Sequence, residues 1–288
     1  MADALTLHDV CKTYSTSDFF LDHISFSLPK GMIMGFVGEN GAGKTTTIGC
    51  ILNTLQRDAG TIHILGKKMD DSSTELRNEI GVVYDGDPFP PDLTAEQLAA
   101  IMRRVYKRWD DGLFRKYLDE FRLEERRKIG RYSRGMTMKL AMAVALSHHP
   151  KLLILDEPTG GLDPISRDEM LDIFLDFVAK EDHAILFSSH ITEDLEKIAD
   201  FITLIHHGRI LLSESKDTIR YQYAVLRCKE NQFPLLDRQD IVAYRKRAYQ
   251  TDVLVRDGRI AKHKYAGIII DRVTIDELML ILTKGNLP

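Results

Sequence analysis

The sequence predicts an α/β fold built on a mainly parallel sheet, with an antiparallel β portion, a helical insertion and a small α+β extension at its C-terminal end. Three observations carry this expectation. A glycine-rich stretch, Gly38-Glu39-Asn40-Gly41-Ala42-Gly43-Lys44-Thr45, lies between an apolar run at 32–37 and a helix-like segment at 46–55. The short runs 151–155 and 184–187 are almost wholly apolar, as central parallel strands buried on both faces are. Residues 93–123 switch to apolar positions three and four apart among long charged side chains, the spacing of helices.

The elements follow in order. Residues 5–10 and 21–28 alternate apolar and polar side chains, the pattern of half-buried strands. Residues 61–65 and 80–84 are short apolar runs and read as strands too. Thr94 and Gln97 fit a capping box at the start of the helical stretch. The two apolar runs are followed by helical segments at 168–180 and 192–199. A first domain over 1–215 is therefore expected, interrupted by a helical insertion at about 86–147, with an extension over 216–288. In that extension 225–228, 253–255 and 267–270 read as strands, and 274–283 as a closing helix capped by Thr274. There is no internal repeat and no low-complexity segment.

Composition excludes several classes. The 288 residues are 44% hydrophobic and 28% charged, with a net charge of only −4, so the whole chain does not read as a nucleic-acid binder. No apolar stretch approaches the ~18 residues a membrane span needs, and the first residues lack the pattern of a secretory signal. Cys11, Cys50 and Cys228 are widely spaced and odd in number, which fits a reducing compartment rather than a disulfide framework. A role at a membrane then requires a partner. Residues 216–288 hold 14 Lys/Arg against 9 Asp/Glu, a net of +5 that leaves −9 on the remainder. Such a tail suits an acidic lipid or partner, or simply a solvated surface; the missing run of basic residues favours the latter.

The glycine-rich stretch is a complete G-x-x-x-x-G-K-[ST] phosphate loop in its strand–loop–helix context. Gly38, Gly41 and Gly43 let the backbone curl so that successive N–H groups face a phosphate, and the following helix adds the positive end of its dipole. Asn40, Ala42 and Thr46 belong to the same nucleotide cradle. Lys44 reaches the β- and γ-phosphates, and the Thr45 hydroxyl ligates Mg²⁺. Ligands are therefore ATP or a related triphosphate with Mg²⁺. Downstream, Leu152-Leu153-Ile154-Leu155 delivers Asp156 and Glu157 to a strand end. Asp156 is placed to hold Mg²⁺, and Glu157 to deprotonate an attacking water.

On these motifs the chain resembles the ATP-binding subunit of an ABC transporter, of the exporter type with separate membrane chains. The resemblance runs over about 5–215. Tyr14 stands where that family stacks an aromatic ring on adenine. Tyr132-Ser133-Arg134-Gly135-Met136 stands at the family's LSGGQ signature, Gly161-Leu162-Asp163 resembles its D-loop, and His190 its switch histidine. The resemblance implies an ATPase with a P-loop NTPase fold that dimerises around two ATP molecules. Ser133 and Gly135 then act on the γ-phosphate held by the second ATP-binding subunit, and Ser133 caps the helix that presents them. It also implies an integral membrane transporter subunit as partner, a position on the cytoplasmic face of the cell membrane, and no nucleic acid.

Two positions depart from the family pattern. Arg134 replaces a glycine of the signature, and either reaches the nucleotide or points outward. Asp85 stands where the family has a glutamine that contacts Mg²⁺ and the attacking water, on a loop that touches the membrane subunit. A carboxylate ligates Mg²⁺ but donates no hydrogen bond when ionised, so Asp85 is expected to keep a metal role with altered coupling. The adjacent pairs His148-His149 and His206-His207 read as loop residues, not metal ligands. Arg122, Arg126, Arg127 and Lys128 read as a solvated helix end, and Cys50 as a buried small residue. Two competing functions remain open: a soluble ABC ATPase acting on DNA or ribosomes, and an ATP-binding switch that hardly hydrolyses.

Overall fold

The computed structural model describes residues 3–15, 17–86 and 88–287. Two long antiparallel strands, β1 (Asp3–Tyr14) and β2 (Ser17–Pro29), open the chain. β3 (Ile33–Val37) is buried at every position and runs directly into the glycine loop, which leads into α1 (Lys44–Ile51). This helix ends before the expected Leu55. Asn53 takes a positive φ of 55°, and the Thr54 and Leu55 amides both donate back to the Gly49 carbonyl. β4 (Ala59–Ile64) and the two-residue β5 (Lys67–Lys68) complete an antiparallel sheet of order β2-β1-β4-β5.

A short α2 (Thr74–Arg77) precedes β6 (Ile80–Val83), and the helical stretch then holds α3 (Ala95–Val105), α4 (Asp111–Glu120) and α5 (Arg134–Leu146). The capping box forms as expected: the Gln97 amide donates to the Thr94 hydroxyl, and the Thr94 amide to the Gln97 side chain. β7 (Leu152–Asp156), α6 (Pro164–Val178), β8 (Ala184–Ser189) and α7 (Thr192–Ile198) follow. α6 starts before the expected 168, because Asp163 caps it by accepting from the Ile165 and Ser166 amides. β9 (Phe201–His206) and β10 (Arg209–Ser215) form a hairpin. Positive φ at both His207 and Gly208 gives its tight two-residue turn, so His206 ends a strand rather than lying in a loop.

The central sheet has the order β10-β9-β3-β8-β7-β6, parallel except for the β10 edge. On one face, α1 side chains Ile48 and Ile51 pack between it and the antiparallel sheet with Phe26 and Phe36. On the other, Leu140, Phe174 and Phe187 belong to a core shared with the helical stretch. Cys50 is fully buried, as expected. The cluster at 122–128 lies past the end of α4 in turns, with Arg126 largely exposed.

After α8 (Lys216–Gln222) come β11 (Ala224–Cys228), β12 (Ile241–Lys246), β13 (Thr251–Val255), α9 (Gly258–Lys264), β14 (Ile269–Arg272) and α10 (Ile275–Lys284). The strands make a third, antiparallel sheet of order β12-β13-β11-β14. Thr274 caps α10 by accepting from the Glu277 amide. Val225, Ala243 and Leu254 join Leu278 and Ile281 in the same core as the helical side of the central sheet. The opposite face packs Leu226, Val253 and Val255 on α9 through Ala261. Alternation along each strand thus covers both faces.

Much of the extension's basic excess is used internally. Arg227 lies 3.1 Å from Asp252, whose carboxylate is fully buried, 2.9 Å from Asp271, and also pairs with Glu277. Arg247 is the second partner of Asp252. Removing Arg227 leaves a buried carboxylate with one cation. Arg227→Met is expected to cost roughly 2–3 kcal/mol in denaturant unfolding, below the ~3–5 of a fully orphaned buried charge because Arg247 stays; unchanged stability would show the network to be dispensable.

His148, expected in a loop, is instead buried at the end of α5. Its ring stacks on Tyr106 with centroids 3.9 Å apart, and Nε2 lies 3.1 Å from the Ile80 carbonyl. Burial holds its pKa below the ordinary histidine value; His183 and His206 are lowered for the same reason. As pH falls through about 6.5 the unfolded chain binds these protons first, so stability present above that pH is lost below it. The Tm measured by calorimetry should decline between about pH 7 and 5, less steeply in His148→Gln. An identical slope in that variant would remove His148 from the account.

Candidate nucleotide-binding site

Parallel register brings three strand ends to one edge. Val37 pairs with Ser189 and Asp156 with Ser188, so the glycine loop, Asp156-Glu157 and Ser189-His190 leave the sheet side by side. The carboxyl edge of an open parallel sheet is where ligands bind. A cavity of about 310 Å³ lies there, lined by Phe19, Glu39, Asn40, Gly41, Gly43, Lys44, Thr45, Thr46, Asp85, Asp156 and Glu157. Gly43 takes a φ of 119° and Gly41 one of 80°, conformations that L side chains rarely adopt. Gly38 and Ala42 are buried members of the loop.

The charged groups of the cavity hold one another. Lys44, only 6% exposed, donates from Nζ to the Gly38 carbonyl at 2.7 Å and lies 3.5 Å from Glu157 Oε1. Glu157 has a φ of 52°, a region uncommon for residues other than glycine and enriched at functional sites. Its Oε2 lies 2.7 Å from His190 Nδ1 and accepts from the His190 amide at 3.3 Å. Thr45 donates its hydroxyl to Asp156 Oδ2 at 3.0 Å, and Ser188 donates to Oδ1 of the same carboxylate. A triphosphate entering here meets a lysine that can exchange Glu157 for phosphate, with a carboxylate and an imidazole already aligned behind it.

The cavity thus gathers the phosphate loop, Asp85, Asp156 and Glu157, with His190 attached through Glu157. Tyr14 is not part of its lining; its ring lies 6.3 Å from that of Phe19, which is. Phe19 was not anticipated, and the only signal for it was an aromatic pair opening the second strand. Ser133 and Gly135 also stand outside the lining, at the start of α5, where Ser133 caps the helix by accepting from the Met136 amide at 3.2 Å. Arg134 is not part of the cavity lining, and its side chain is about half exposed. Its Nη2 lies 2.7 Å from Asp85 Oδ1, joining the two departures from the family pattern to each other.

Among the described residues no group of three or more His, Cys, Asp or Glu side chains is arranged to hold a metal ion. What the cavity offers is a small set of hard oxygen donors, Thr45, Asp156 and Asp85. That set suits Mg²⁺, which binds through one or two carboxylates and completes its shell with phosphate and water oxygens.

The family described as ABC transporter matches residues 21–160. The bacitracin transport ATP-binding protein BcrA of Bacillus licheniformis is 34% identical over 213 residues, 73% of this chain and 69% of that one. The lantibiotic transport ATP-binding protein SrtF of Streptococcus pyogenes is 32% identical, over 74% of this chain and 91% of that one. A solved ATP-binding subunit of an ABC transporter superposes with a TM-score of 0.69 at 28% identity, covering 75% of this chain and 92% of that one. The chain therefore belongs to the ABC transporter family as one of its ATP-binding subunits, an ATPase.

Proposed function

We propose that the chain dimerises with a second ATP-binding subunit around two ATP molecules and drives a separate membrane-spanning subunit, as an exporter. The observation that carries this reading is the meeting of Lys44, Thr45, Asp156 and Glu157 in one cavity at adjacent strand ends. Lys44 grips the β- and γ-phosphates. Thr45, Asp156 and Asp85 hold Mg²⁺, which when bound neutralises charge on the phosphate oxygens. Glu157 takes the proton of the attacking water, and His190, 2.7 Å from it, orients that carboxylate and supports the γ-phosphate. Tyr14, beside Phe19, stacks on adenine.

Ser133 and Gly135 lie outside their own cavity, which supports a role across a dimer: the exposed start of α5 offers amides and a helix dipole to an anion on the partner. A transport role is supported by relatives named for bacitracin and lantibiotic transport, and export is the direction we propose. No helix among the described residues is long and apolar enough to cross a membrane; in our reading the membrane part is another chain, with this one at its cytoplasmic face. A groove of about 550 Å³, lined by Val82, Tyr84, Val105 and Tyr106 together with polar Asn53, Arg77 and Asn78, lies next to Asp85 and suits docking of that chain. The division into 1–215 and an extension over 216–288 is retained as a functional one, the extension carrying the third sheet. One observation favours weak hydrolysis as a second reading: Asp85 is paired with Arg134 rather than free for metal.

Glu157→Gln should lower ATP turnover by about 10²–10⁴-fold, the range for loss of a general base, while ATP binding persists. The same variant, trapped with ATP and extracted from native membranes, should sediment as a dimer and bring down a polytopic membrane protein. Full turnover would dismiss Glu157 as base, and recovery with ribosomes or nucleic acid would dismiss transport. Lys44→Ala should weaken ATP binding at least about tenfold, as loss of a charge-assisted phosphate contact does; unaltered affinity in a fluorescence titration would dismiss its role.

A further inference from the structure

Arg134 occupies a junction that the ATPase reading does not explain. Its Nη2 lies 2.7 Å from Asp85 Oδ1, a residue 49 positions earlier. Asp85 follows β6 and lines the nucleotide cavity. The rest of the guanidinium stem covers the turn after Glu157: a Cβ placed on Gly161 would meet Arg134 Cδ at 3.2 Å and Nε at 3.3 Å, and one on Gly160 would meet Nη2 at 3.5 Å. Gly161 has a φ of 75°, so this turn carries no side chain to take the arginine's place. One cation therefore ties together the loop after β6, the start of α5 and the segment that leaves Glu157.

The contact is built to exchange rather than to hold the fold. Both side chains are about half exposed, 57% for Arg134 and 48% for Asp85. Exposed ion pairs of this kind contribute little to stability because water screens them and two long side chains must be ordered. A carboxylate in contact with a guanidinium is also a poorer cation ligand, because the positive charge beside it repels a second one. Binding at Asp85 and pairing with Arg134 are therefore linked, and each weakens the other by the same factor.

Resting on the reading of the cavity as an Mg²⁺–ATP site, we propose that Arg134 is a positioning residue that competes with the metal for Asp85 and so sets the Mg²⁺ concentration the site requires. Arg134 both pairs with Asp85 and covers the Gly160–Gly161 turn. A metal held by Asp85 would weaken that pair, and the pair in turn makes Asp85 a poorer ligand. Occupancy at Asp85 would thus be felt in cis by the residue that covers the turn following Glu157.

The test is an Mg²⁺ titration of the full chain binding a fluorescent, non-hydrolysable ATP analogue, with thermal melts confirming that each variant is folded. Arg134→Ala should lower the half-saturating Mg²⁺ concentration by about two- to five-fold, the scale of an exposed ion pair. Arg134→Lys, which keeps the charge, should stay near the parent value. In a chain already carrying Asp85→Asn, Arg134→Ala should move nothing further. The same shift with and without Asp85→Asn, or no shift at all, would overturn the competition. Analogue affinity measured at saturating Mg²⁺ separates the two layers: if the analogue fails to bind the parent chain there, the nucleotide site itself falls and this inference with it, whereas normal binding with an unmoved Mg²⁺ titration sinks only Arg134.

Discussion

The pairing of Val37 with Ser189 and of Asp156 with Ser188 is the constraint on which the site depends. Each strand end carries a different piece of the cavity: the glycine loop, the acidic pair, the histidine. None is placed by its own local sequence. They meet because consecutive parallel strands β3, β8 and β7 are held level by backbone hydrogen bonds whose register cannot slip without turning every side chain to the other face. A one-residue slip between β7 and β8 would take Asp156 away from Ser188, which fixes one of its oxygens. The helices on both faces serve this register, since it is their burial of Phe36, Phe174 and Phe187 that keeps the strands at one height.

Within that frame the cavity is electrostatically self-sufficient. Lys44 and Glu157 are both largely buried and stand 3.5 Å apart, and burying either alone would be costly. Each therefore serves as the other's partner until phosphate arrives. Asp85 and Arg134 repeat the arrangement at a more exposed position, where the cost of separation is smaller. The cavity thus holds one tightly buried pair and one half-exposed pair.

What the sequence made legible was local chemistry. The glycine-rich loop, the Asp156-Glu157 strand end, the Thr94–Gln97 box and the Ser133 and Thr274 caps all rest on residues within a few positions of one another; the loop lies between a strand and a helix, Asp156 ends a strand, and the box and both caps form as read. Strand β12 was hidden because Arg245 and Lys246 break the apolar pattern, and their neighbours pack on only one face. The β9–β10 hairpin was hidden by a His-Gly turn that looks like a loop. Phe19 and the Asp85–Arg134 contact were out of reach for a different reason: both depend on how the helical stretch and the antiparallel sheet fold back on the central sheet, and no periodicity encodes that. Two unusual residues on the same chain proved to be one feature in space.

The core shared across the extension has its own consequence. Val225, Leu254, Ile275, Leu278 and Ile281 lie in one apolar cluster with Leu140, Phe174 and Leu195, Ile275 donates its amide to Glu196 of α7, and Lys284 lies 3.2 Å from Glu39 in the phosphate loop. The last helix therefore spans from the helix behind His190 to the loop that receives phosphate. Heat or denaturant should find no seam between the two parts, and melting should be a single cooperative event. A gene cut after Ser215 would leave an apolar wound on the ATPase face, the kind of surface that drives association.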